Sequence, residues 1–105
     1  MEIFNGDSLI FNYSCNLEDD SLYEFKKDDI LKIIIYKLSH NEECIKEEIK
    51  FDIPKTNIDI HIDKSKMKNL KPGYHMLEIK LLTDDKLFTT LQEQVTIKES
   101  WLEDE

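Results

Sequence analysis

Three polar residues alternate with isoleucines in "NIDIHID", residues 57–63: Asp59, His61 and Asp63. On a β-strand, residues two apart project from one face, about 6 to 7 Å apart. Carboxylate plus imidazole is a ligand set that suits a divalent metal. A third protein ligand is not identifiable from the spacing. The preferred reading is therefore a solvated outer face that keeps the strand polar on one side.

Acidic pairs recur at Asp19-Asp20, Asp28-Asp29 and Asp84-Asp85. Carboxylates gathered at one end of a sheet protein can hold Ca²⁺, but the alternating spacing of a helix–loop–helix calcium site is missing. Turn chemistry and solubility are the favoured account. There is no GxSxG, no Gly-rich phosphate loop, and no Cys next to a plausible His. His40 falls in a turn and His75 begins a strand with nothing nearby that marks it as a base. No catalytic, cofactor-binding or metal-binding residue is assigned, and an enzyme is the least supported broad class.

The elements that must position any surface are those of a small acidic protein. At 105 residues, 40% hydrophobic and 35% charged, the chain suits one soluble domain with a single core. Its formal charge is −9, and it contains neither Arg nor Ala. Such a charge repels nucleic acid and anionic membranes, so no direct nucleic-acid or membrane partner is expected. Cys15 and Cys44 lack metal or redox spacing. They read as free thiols of a cytoplasmic product, with a disulfide as the less favoured alternative. No stretch reaches the roughly 20 apolar residues of a membrane helix. "MEIFNGD" lacks the basic and apolar regions of a secretory signal.

Period-2 hydrophobicity dominates the chain. "DSLIFNYSC" places Leu9, Phe11, Tyr13 and Cys15 on one face. "ILKIIIYKL" is a β-branched central strand. "CIKEEIKFDI" is read as a strand with Ile45, Glu47, Ile49, Phe51 and Ile53 aligned, against a competing helical turn over 43–50. Ile58, Ile60 and Ile62 face inward in the cleanest alternation of all. Met67 and Leu70 fit one helical turn, with Ser65 as its cap. In "LKPGYHMLEIKLL", Pro72 ends that turn and Gly73 takes the positive φ of a type II turn. "TDDK" then joins "YHMLEIKLL" to a long last strand, "LFTTLQEQVTIK".

The expected fold is all-β: a small antiparallel β-sandwich, Ig-like, of about seven strands with at most one short helical turn. The domain is assigned to residues 1–98 and an acidic tail to 99–105. The predicted core holds Leu9, Phe11, Ile33, Ile35, Ile58, Ile60, Ile62, Leu77, Ile79 and Leu81. Trp101 has two readings: a plug at the end of the core, or part of a contact surface.

The order of "GDSLIF", "FKKDDILKIIIY" and "MKNLKPGYHMLEIKLLTDDKLFTTLQEQVTI" resembles the small Ig-like β-sandwich proteins of bacteriophages and prophages of low-GC Gram-positive bacteria. These are found among tail and baseplate components. The likeness runs from Gly6 to Ile97, with Asp84-Asp85 where Asp-Gly is usual in the hairpin. It implies a non-catalytic structural or adaptor module of a phage particle, made in the cytoplasm and carried on the virion. A protein partner is implied, either self or another particle subunit, so a homo-oligomer is one expected form. An unpaired strand edge or a terminal segment is the expected contact surface, with the chain ends the best candidates. Ile3, Phe4, Trp101 and Leu102 form its apolar centre, and Glu99, Glu103, Asp104 and Glu105 its rim. The alternatives are a small acidic inhibitor that occupies a basic host protein, and a Ca²⁺-dependent or sugar-binding sandwich.

Overall fold

Isoleucine-rich, alternating segments without alanine favour extended backbone, and that is what the chain adopts. The computed structural model describes residues 1–39 and 42–99, with backbone alone at 42–44. Among the described residues seven strands form: β1 (Glu2–Phe4), β2 (Leu9–Tyr13), β3 (Ile30–Lys37), β4 (Glu42–Lys50), β5 (Ile58–Ile62), β6 (Gly73–Thr83) and β7 (Lys86–Lys98). One short helix, α1 (Lys64–Met67), lies between β5 and β6.

The strands make two sheets. One has five strands in the order β1-β7-β6-β3-β4, and the other pairs β2 with β5. The fold is thus all-β and sandwich-like, as expected. One edge departs from the antiparallel rule, because β1 runs parallel to β7, Ile3 opposite Ile97. Both strands are reached through distant parts of the chain, so no hairpin constrains their direction.

Leu31, Ile33 and Ile35 of β3 face Leu81, Ile79 and Leu77 of β6 across the ladder. Together with Ile60, Ile62, Val95 and Ile97 they form one buried cluster. The predicted core stands, with one gradation: Leu9, Phe11 and Ile58 pack against the cluster but are only partly buried. They lie on a two-stranded sheet, too narrow to shelter its flanks. Phe25, fully buried, stacks on Phe51 with ring centroids 4.8 Å apart. This anchors the loop between β2 and β3 under the end of β4.

Three local expectations are corrected. Ile53 is 61% exposed rather than aligned with Phe51, because β4 ends at Lys50 and the chain bends before Pro54. The cap of α1 is Asp63, whose carboxylate accepts from the Ser65 N–H at 3.1 Å; Ser65 lies inside the helix. Gly73 has the expected positive φ, at 136°, but it opens β6 opposite Ile97 instead of sitting in a type II turn. The chain bends one residue earlier, at Pro72.

Candidate interaction surface

The chain ends split. Ile3 is only 6% exposed, and this corrects its assignment to a surface. β1 is laid along β7, and its middle side chain must then point into the core that Ile97 already lines. Phe4, its neighbour in the strand, points the other way and is 42% exposed. Trp101, Leu102, Glu103, Asp104 and Glu105 lie outside the described residues, as does His40.

Several of the polar groups that chemistry could have used serve the fold instead. Asp59 and His61 are exposed on the outer face of β5, as the alternation requires. Asp59 accepts from the Asn12 side chain at 2.9 Å across the β2–β5 ladder. Asp63 serves α1, and its hydrogen bonds to the Ser65 hydroxyl and N–H hold its carboxyl below the usual range. Among the described residues, no group of three or more His, Cys, Asp or Glu side chains is placed to hold a metal ion. His75 is fully buried, its Nδ1 3.3 Å from the Gly73 carbonyl and its Nε2 without a partner among the described residues. It cannot meet a substrate in solution.

The acidic pairs are turn formers. Asp19 accepts from the Ser21 hydroxyl at 2.5 Å and from its N–H at 3.1 Å, which lowers its pKa. Asp84 and Asp85 both adopt positive φ, 49° and 63°, the conformation a two-residue hairpin needs and which Asp-Gly usually supplies. Asp84 also pairs with Lys26 at 3.1 Å, tying the hairpin to the loop between β2 and β3. Asp29 is 3% exposed and closes that loop from within. It accepts from the Lys26 N–H at 2.9 Å and the Tyr23 hydroxyl at 2.8 Å. Burial alone would raise its carboxyl, but these donors outweigh burial and hold it below its ordinary value.

The outward face of the five-stranded sheet is similarly satisfied around one carboxylate. Glu78 accepts from the Tyr36 hydroxyl at 2.9 Å and from the Gln92 amide at 2.6 Å, with Lys80 at 3.7 Å. Burial pushes Glu78 up, yet the donors prevail and lower it; the same hydrogen bond raises the Tyr36 phenol.

Among the described residues, what remains open is backbone. β1 covers β7 only at Thr96–Lys98. Among the described residues, the outer edge of β7 upstream of Thr96 has no strand beside it. Leu87 and Phe88 stand there at 52% and 50% exposure. Beside them runs an open groove of about 790 Å³, whose wall includes Tyr13, Cys15 and Thr90. β4 forms the opposite edge of the same sheet over nine residues. Its register with β3 turns Ile45, Glu47 and Ile49 toward the core side and Lys46, Glu48 and Lys50 toward the outside. Such edges carry unpaired donors and acceptors that a further strand can satisfy. The sequence reading expected an unpaired strand edge or a terminal segment, without saying which strands lie at the edges. Strand order depends on pairings between distant segments, which no local pattern encodes.

Among the described residues no helix is long and apolar enough to cross a membrane. No protein-family model matches the chain, and neither a curated protein nor a solved structure matches it significantly.

Proposed function

We propose that this chain is a non-catalytic structural or adaptor module of a phage-like particle, acting through protein–protein contacts at its sheet edges. The observation that carries the reading is the pair of long strand edges, β4 and the upstream part of β7, left open among the described residues on a well-filled core. Strand addition to such an edge is a common mode of protein recognition, in which main-chain hydrogen bonds supply the contact and alternate side chains the selectivity. We read the strand order as Ig-like. On that reading β3, β6 and β7 are the central strands of one sheet, β4 extends it, and β2 with β5 belongs to the other. The setting in a tail or baseplate, and association with the virion, rest on the resemblance of the turn-and-strand sequence from Gly6 to Ile97.

Affinity capture from a lysate of an induced prophage-carrying culture tests the reading, with bound proteins identified by mass spectrometry. Tail or baseplate subunits are the expected catch, lost when the β4 or β7 edge is blocked by proline. Capture of none of them overturns it.

A second reading, an acidic inhibitor of a basic host protein, is favoured by one feature. The loop 14–29 carries six carboxylates against two lysines, and the Lys26–Asp84 pair brings the Asp84-Asp85 hairpin to the same end. A captured host protein of basic surface, released by moderate salt, would support this reading over the first.

A further inference from the structure

We propose that two copies of this chain pair antiparallel through the outer edges of their β4 strands, about a two-fold axis at Glu47. The inference rests on the edge-docking reading above and names the partner as a second copy.

A two-fold axis perpendicular to a sheet keeps side chains of one face on that face after pairing. The axis on β4 must then pass through a residue, and three positions are central enough to use the strand. An axis at Lys46 sets the two Lys46 ammoniums against each other and Ile45 against Glu47. An axis at Glu48 opposes two Glu48 carboxylates and sets Lys46 against Lys50. An axis at Glu47 sets Lys46 against the second copy's Glu48, twice, on the outer face. On the core side it sets Ile45 against the second copy's Ile49, also twice. Opposite charges and paired β-branched side chains are what cross-strand neighbours favour, and like charges directly opposite oppose pairing. Of the three, only the Glu47 register pairs opposite charges on the outer face and isoleucines on the core side, and its one like-charge opposition is Glu47 with Glu47 at the axis.

The structure supplies what that register needs at its centre. Two Glu47 carboxylates meet at the axis, and each is already paired with Lys66 of α1 in its own chain. Two cations therefore flank the two anions. The ladder is also bounded. The β3–β4 register slips between Ile35 and Tyr36, which leaves Cys44 as the extra residue, and regular pairing runs from Ile45 to Lys50. An edge so bounded offers a short interface, which makes a weak, reversible dimer the expected form. The charge of −9 on each copy opposes association, so the measurement belongs in about 0.15 M salt, where long-range repulsion is screened.

Sedimentation equilibrium from about 10 μM to about 1 mM protein tests the proposal. The wild-type chain is expected to be a monomer–dimer mixture. Lys46→Glu and Glu48→Lys each place like charges opposite one another, and each should weaken the dimer about tenfold or more. The double variant Lys46→Glu/Glu48→Lys restores the opposition and should recover most of the affinity. Both positions are exposed, so circular dichroism should report an unchanged fold. The register has its own readout. In a Cys15→Ser/Cys44→Ser background, Glu47→Cys places two thiols directly opposite, within the Cα separation a disulfide spans, whereas Glu48→Cys does not. Oxidation should cross-link the first and not the second. A chain that stays monomeric throughout, or a dimer indifferent to both charge reversals, overturns the proposal. A monomer that still captures a tail or baseplate subunit overturns the self-pairing alone and leaves the adaptor reading standing.

Discussion

The phenol of Tyr13 on β2 donates a 2.6 Å hydrogen bond to the hydroxyl of Thr90 on β7, joining the two sheets. Thr90 is the extra residue at the β6–β7 bulge, where Ile79 faces Leu91 and Lys80 faces Thr89. Its hydroxyl passes the chain on to the Ile79 carbonyl at 3.0 Å, and the Cys15 thiol donates to the phenol from the other side at 3.2 Å. Burial, together with the Cys15 contact, raises the pKa of Tyr13 well above that of a free phenol, so it remains a neutral donor.

That relay predicts coupled mutational costs. Tyr13→Phe should destabilise by about 0.5 to 1.5 kcal/mol, the worth of a typical internal hydrogen bond. Thr90→Val should cost more, about 1 to 3 kcal/mol, since it strands both the phenol and the Ile79 carbonyl. The double variant should cost less than the sum. Urea denaturation of the four proteins closes the cycle, and simple additivity would show that the two groups do not cooperate.

Asp29 should make stability pH-dependent at the acid end. Its folded pKa is depressed below the ordinary carboxylate value, so the native state binds its proton less readily than the unfolded chain. The stabilisation is fully present above the unfolded value of about 3.9 and is lost as pH falls through the lower folded value. Asp29→Ala should therefore unfold in less urea than wild type at pH 7, and the gap should narrow towards pH 2. A gap that is independent of pH would show the carboxylate's charge to be irrelevant.

Gly73→Ala isolates backbone strain. A Cβ built at Gly73 meets nothing within 4 Å, yet φ is 136°. The expected loss is about 1 to 3 kcal/mol with no steric clash to relieve, seen as a lower melting temperature. Ile60→Ala, by contrast, opens a cavity at a side chain 1% exposed and should cost about 2 to 5 kcal/mol. An unchanged melting temperature in the glycine variant would mean the strand start relaxes to negative φ.

The hairpin should improve with glycine. Asp85 holds φ 63° at the second turn position, where glycine avoids the Cβ penalty. Asp85→Gly should raise stability by about 0.5 to 1 kcal/mol and leave the Lys26–Asp84 pair in place. Thermal denaturation reads the gain directly, and a lower melting point would assign Asp85 a contact that its turn geometry does not reveal.

The alternation in "NIDIHID" determined which way β5 faces, because side-chain direction on a strand has a period of two and needs no knowledge of neighbours. The same logic placed Ile33, Ile35, Leu77, Ile79 and Leu81 in the core, and glycine's lack of a Cβ signalled the positive φ at Gly73. It failed at Ile53, where alternation continued in the sequence after the strand had stopped. Burial of Asp29 was invisible in an acidic loop, because its partners are a backbone N–H and a tyrosine hydroxyl chosen by the path of the loop. Ile3 and Phe4 were indistinguishable as apolar neighbours until β1 lay parallel to β7 and sent one inward and one out. The two open edges are likewise a tertiary property. Each strand carries donors and acceptors on both sides, and only the order β1-β7-β6-β3-β4 decides which of them go without a partner.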